Sequence, residues 1–151
     1  DFFTHGNHIE PEALLRSAMF KENYSEMVIV KDIEIFSLCE HHMIPFFGKA
    51  HIAYISNGTV VGLSKMNRVV DYFAKRPQVQ ERLTMQVVKE LQQILGTEDV
   101  ACVIDAKHLC VNSRGIRDID SSTVTSEFGG QFKNPEVRRE FLDYIKLETE
   151  F

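Results

Sequence analysis

The chain has 151 residues, 44% of them hydrophobic and 26% charged, a size and composition for one domain that buries roughly 70% of its unfolded surface. A formal net charge of −5 excludes the broad basic footprint of a nucleic-acid binder; no apolar run approaches the ~18 residues of a membrane span, and the opening DFFTHGNHIE lacks the basic flank and apolar core of a signal peptide. A soluble, cytoplasmic protein with no nucleic-acid or membrane partner is expected, and its three cysteines, Cys39, Cys102 and Cys110, suit metal or thiol chemistry better than a disulfide framework.

In chain order, Glu10 to Glu22 reads as a helix, with Pro11 at its first position and Leu14, Leu15, Ala18 and Met19 at helical spacing. Met27 to Phe36 and Phe46 to Ile55 alternate as strands do, and Ser56-Asn57-Gly58 reads as a hairpin turn. Ser64 opens a helix to about Lys75, which Pro77 ends. Gln78 to Leu95 carries Val79, Leu83, Val87, Leu91 and Ile94 as one stripe, and Gly96 stands where a helix-ending glycine belongs. Val100 to Val111 is a predicted buried strand and TVTSEFGGQF (Thr123 to Phe132) another, while Asn134 and Pro135 cap a last helix through Leu147. Strands early and mid-chain with two consecutive helices between them predict an α+β fold on an antiparallel sheet. With no repeat, low-complexity tract or linker, residues 1–151 form a single expected domain.

The stretch SLCEHHMIP (Ser37 to Pro45) sets Cys39 and His42 at the spacing of two ligands to one metal. A second half lies in HLC: on a strand, His108 and Cys110 face one side with Cα atoms roughly 7 Å apart. Three ligands and a water would make a catalytic zinc, and Cys39, His42, His108 and Cys110 together a closed structural one; spacing does not choose between them. Cys102 reads as a small buried hydrophobe. Ser64, Lys65 and Arg68 open a helix, where free N–H groups favour phosphate, although the same residues suit a solvated face. Arg114, before Gly115, reads as a surface turn. Gln80 and Glu81 fall on the polar side of the long helix. A carboxylate there is either solvated or accepts two hydrogen bonds from a base with adjacent N–H donors, as guanine has. No P-loop occurs.

Four motifs in order, FSLCEHHMIPFFGKAHIAYI, GLSKMNRVVDYFAKRPQVQERLT, HLCVNSRGIRD and TVTSEFGGQF, make the chain resemble GTP cyclohydrolase I from about Met27 to Ile145, the RGIRD form being the bacterial one. The resemblance implies a tunnelling fold, helices on one face of an antiparallel sheet, closed into a toroidal homodecamer of two pentamers with active sites shared between subunits. It implies one zinc per chain on Cys39, His42 and Cys110, with His41 and His108 off the metal as acid/base groups. It places Gln80 and Glu81 at guanine, and Ser64, Lys65, Arg68 and Arg114 at the triphosphate. The implied reaction is the hydrolysis and rearrangement of GTP to dihydroneopterin triphosphate and formate, the first step of folate or tetrahydropterin biosynthesis. Residues 1–26 match weakly, and the helical stretch that family members carry upstream is expected to be missing, leaving the triphosphate contacts incomplete. Two other functions compete: another pterin enzyme of the same fold, against which the two thiols speak, and a non-catalytic oligomeric scaffold in which zinc clips the turn to the strand. Glu40 has no role beyond anchoring its turn.

Overall fold

The computed structural model describes residues 19–21, 27–41, 43–56, 59–109 and 121–147. Within them the strands are β1 (Met19–Lys21), β2 (Met27–Cys39), β3 (Pro45–Ile55), β4 (Thr59–Val61), β5 (Pro77–Gln78), β6 (Val100–His108) and β7 (Thr123–Phe128). The helices are α1 (Leu63–Ala74), α2 (Gln80–Leu95) and α3 (Pro135–Ile145), the last preceded by a 3₁₀ turn over Gly130–Lys133. Five strands form one sheet in the order β5-β2-β3-β6-β7, and β1 pairs with β4 alone. No helix among the described residues is long and apolar enough to cross a membrane.

Period-two alternation explains how the sheet acquires its main core. Ile33, Ile35, Ser37 and Cys39 of β2 are buried while Glu34 and Phe36 between them are exposed and Leu38 is half-buried, and β3 and β6 offer Phe46, Ala50, Ile52, Cys102 and Ile104 on the same side. Helices α1 and α2 close that face with Met66, Val69, Val70, Leu83, Val87 and Leu91, each buried aliphatic chain contributing roughly 1.5–3 kcal/mol relative to exposure. At α2 the expected stripe holds in its middle: Leu83, Val87 and Leu91 are buried, while Val79 is the residue before the helix and it and Ile94 are half-buried; Gly96 ends the helix with a left-handed φ of 67°. Asn134 caps α3 as its sequence implies, its side chain accepting from the Glu136 N–H at 3.0 Å, with Pro135 in the first turn. Gly48 permits the close approach of β3 to β6, because a Cβ there would stand 2.0 Å from the Asp105 carbonyl oxygen.

Several expectations are corrected. The sheet is mixed, since Pro77–Gln78 pairs in parallel with Leu38–Cys39, and this pairing delays the start of α2 to Gln80. Helices cover both faces. Ala53, Ala101 and Val103 point away from α1 and α2 and leave a second apolar surface, on which Phe132 and Phe141 pack with ring centroids 5.8 Å apart. Met19–Lys21, expected as the end of a helix, is a strand because its backbone pairs with Thr59–Val61, and strand pairing overrides a local helical pattern. The same pairing takes β4 away from β3, so the hairpin expected across Ser56-Asn57-Gly58 is not formed by these strands; residues 10–18, 22 and 57–58 lie outside the described residues. Strand β6 ends at His108, so the period-two rule does not run on through Leu109 to Cys110, which lies outside the described residues.

The bulge in β2 ties Asp32 to a buried histidine of β3. Asp32 takes a left-handed φ of 61° where the β2–β3 register shifts, and its N–H donates to His51 Nδ1 at 3.0 Å. Burial pushes the His51 imidazole below its ordinary value, with Asp32 and Asp105 opposing the shift and Lys49 and Lys31 adding to it. A depressed value means the unfolded chain takes the proton first. The contribution is therefore complete above the ordinary value of about 6.5 and is lost as pH falls from there toward the folded-state value. Denaturant midpoints should fall between about pH 7.5 and about pH 5.5, and His51→Asn, whose amide oxygen keeps an acceptor for Asp32, should flatten the fall. Equal slopes in the two proteins would remove His51 as the cause.

Candidate functional site

One end of the sheet gathers most of the described candidates. Pairing aligns Ser37, Phe46 and His108 in one row across β2, β3 and β6, with Cys39 at the end of β2 and the N-terminus of α2 above them. Cys39 is buried, 7% exposed, and in no disulfide. Its turn is held by backbone alone at two points, Cys39 N–H to the Ile44 oxygen at 2.9 Å and Met43 N–H to the Cys39 oxygen at 2.7 Å, with Met43 at a φ of 54°. Glu40 has a partner the sequence did not reveal. Its N–H donates to the Gln78 oxygen at 2.9 Å, and its carboxylate accepts from Arg82 Nη1 at 2.5 Å, tying the turn to α2. The Arg82 guanidinium hydrogen-bonded to Glu40 holds that carboxyl below the ordinary carboxylate range. His41 is exposed on the same turn.

His108 sits between a ring and an amide. Phe46 stacks on it with centroids 4.7 Å apart and planes 9° from parallel, and its Nε2 lies 2.6 Å from Gln80 Oε1. Burial pushes the imidazole below its ordinary value, partly offset by the Glu81 carboxylate. The polar-face expectation holds for Glu81, which is exposed, and is corrected for Gln80, which is 2% exposed because its amide is spent inside the protein. Gln80 Nε2 donates to the Thr123 oxygen at 2.8 Å and the Ile104 oxygen at 3.2 Å, and it lies 3.1 Å from Thr125 Oγ1. Sequence reasoning missed Phe46, Arg82, Thr84 and Thr125, whose roles depend on strand register and on contacts between distant segments.

Ser64, Lys65 and Arg68 are not brought to this end. Helix α1 begins just after Val61, whose N–H reaches Tyr54 Oη at 3.4 Å near the opposite end of β3, and finishes beside Arg76, whose carbonyl accepts from Ser37 Oγ at 3.1 Å. Its 12 residues span about 18 Å, so its first turn stands about that far from the row of His108 within one chain. A hollow of about 1000 Å³ lined by Glu34, Phe36, Phe47, Lys49 and Asp105 opens on the sheet face away from Cys39 and holds none of the candidates. His42, Cys110 and Arg114 lie outside the described residues. Among the described residues no three His, Cys, Asp or Glu side chains come together as a metal site, Cys39 being the one described member of the expected ligand set.

A family model described as GTP cyclohydrolase I matches residues 1–146. The GTP cyclohydrolase 1 of Flavobacterium johnsoniae is 67% identical over 145 residues, which cover 95% of this chain and 65% of that protein. Its counterparts from Bacteroides fragilis and Chlorobium chlorochromatii are 53% and 54% identical over 143 and 146 residues, covering 95% and 96% of this chain and 74% and 66% of theirs. The chain thus spans about two thirds to three quarters of these relatives. The crystal structure of the archaeosine synthase QueF-Like in the apo form superposes with a TM-score of 0.55 over 67% of this chain and 90% of that one; at 15% identity the two share a fold.

Proposed function

The chain belongs to the GTP cyclohydrolase I family, and from that premise we propose that it hydrolyses and rearranges GTP to dihydroneopterin triphosphate with release of formate. The convergence of Cys39, His108 and Glu81 at one end of the sheet carries this reading, because they are a metal-binding thiol, a proton-exchanging imidazole and a base-reading carboxylate from three separate elements. Residues 1–151 act in it as a single domain.

The donor set fits zinc. Cys39 is a buried thiol outside any disulfide, His42 follows it by three positions, and Cys110 follows His108 by two, an S₂N set that leaves a fourth position for water. Zinc held by these residues would supply a water activated near neutral pH, the nucleophile that hydrolysis of a purine ring carbon requires. Glu81 accepts from the paired N–H donors of guanine beside the free N–H groups of the α2 N-terminus. His108, held edge-on by Gln80, exchanges a proton with the ring nitrogen, and His41 serves as a second imidazole at the same turn.

Ser64, Lys65 and Arg68, with Arg114, would bind the triphosphate, and the separation of α1's first turn from His108 supports a site completed by a second copy. A homodecameric ring meets that need, and the exposed edge strand β7 gives it a surface to pair. Formate release from GTP by the zinc-loaded chain tests the function: stoichiometric formate is the expected result, and zinc retained without formate would instead favour an oligomeric scaffold clipped by the metal.

A further inference from the structure

We propose that the Gln80 side chain is a positioning residue, which fixes the neutral tautomer of His108 as Nε2–H and leaves Nδ1 as the nitrogen available to the reaction, rather than a contact to the base. The inference rests on the reading of His108 as a proton-exchanging group given above.

Hydrogen-bond polarity carries it. The carbonyl oxygens of Ile104 and Thr123 only accept, so the atom of Gln80 facing them is the amide nitrogen and its oxygen points the other way. Two hydroxyls extend the same sense. Thr84 Oγ1 donates to the main-chain carbonyl oxygen of Gln80 at 2.9 Å, which commits its hydrogen. Thr125 Oγ1, 2.8 Å away, must then donate to Thr84 and accept from Gln80. Gln80 Oε1, an acceptor only, lies 2.6 Å from His108 Nε2, so that nitrogen carries a hydrogen. Turning the ring over would set a carbon against Oε1 and strand a buried acceptor, and the parallel Phe46 ring 4.7 Å away keeps the imidazole in its plane. Being 2% exposed with its amide hydrogens committed inward, the Gln80 side chain has no donor left for a ligand.

The test uses the zinc-loaded full chain labelled with ¹⁵N-histidine, alongside Gln80→Met and Gln80→Glu. Nitrogen shifts should show His108 as Nε2–H in the wild type and as a mixture of tautomers in Gln80→Met. With zinc content kept, kcat of Gln80→Met should fall roughly 10²-fold while KM for GTP stays within about threefold. Gln80→Glu with its carboxyl protonated, one oxygen donating to the Thr123 carbonyl and the other accepting from Nε2, should restore the single tautomer and part of that loss, whereas the ionised carboxylate, facing the Ile104 and Thr123 carbonyls, should not. An Nδ1–H tautomer in the wild type overturns the proposal, and so does a Gln80→Met variant that raises KM with kcat intact, the behaviour of a substrate contact. The shifts report the tautomer whether or not GTP turns over, so an inactive wild type would overturn the functional reading while the hydrogen bond is still decided.

Discussion

Replacing His108 by alanine should lower GTP turnover by roughly 10²–10⁴-fold, the range for loss of a positioned proton donor or acceptor, while bound zinc stays at the wild-type level. Cys39→Ser should behave differently, losing zinc and turnover together, because it removes a proposed ligand at the end of β2. The contrast tests which groups touch the metal. His108 is already engaged at Nε2 by the buried Gln80 amide and stacked on Phe46, an arrangement suited to holding an imidazole beside a substrate. Removing the ring leaves Gln80 Oε1 without its partner, at a cost of about 1–3 kcal/mol, so a modest fall in melting temperature should accompany the loss of rate. Metal analysis and turnover of both variants check the result; zinc lost equally from both would make His108 a fourth ligand of a closed site and overturn its proposed role.

Glu81→Ala should leave the fold intact yet weaken GTP binding by roughly 2–5 kcal/mol, the usual cost of truncating one partner of a desolvated, hydrogen-bonded charged contact. Glu81 is exposed in the first turn of α2, so the loss to the helix itself is limited to the interaction of one acidic residue with the N-terminal dipole, about 0.3–1 kcal/mol. Selectivity is the sharper readout. ITP lacks the exocyclic amino group of GTP, so the wild type should prefer GTP and the variant should bind the two alike. Calorimetric titration with both nucleotides measures this, and an unchanged preference would return Glu81 to the role of a solvated carboxylate.

The chemistry of the candidate site was legible where it depended on neighbours in the chain. Cys39 and His42 stand at a spacing that two ligands of one metal would have, and Glu81 is an exposed carboxylate at a helix start. Contacts between segments were not legible. The Glu40–Arg82 pair joins residues far apart in the chain, and Gln80 looks like any polar residue on a helix until β6 and β7 supply Ile104 and Thr123 to receive its amide. Likewise, the i, i+3 spacing of Lys65 and Arg68 says they share a helix face and nothing about which end of the sheet that face reaches.

By itself the sequence determined the elements whose signals are local: the two strands of the central hairpin from their alternation, α2 from its stripe and its terminal glycine, and α3 from the Asn134 cap. These follow from side-chain period and backbone preference, which act within a few residues. Tertiary structure alone decided that Met19–Lys21 is a strand, that Pro77–Gln78 runs parallel to β2, and that α3 covers the second face of the sheet. It also decided that His108 lies against Phe46 and Gln80, and that the first turn of α1 is held away from them. The reason is the same in each case: periodicity says which side of an element is apolar, while the partner and the register are set by long-range backbone pairing and by whichever distant surface completes the burial.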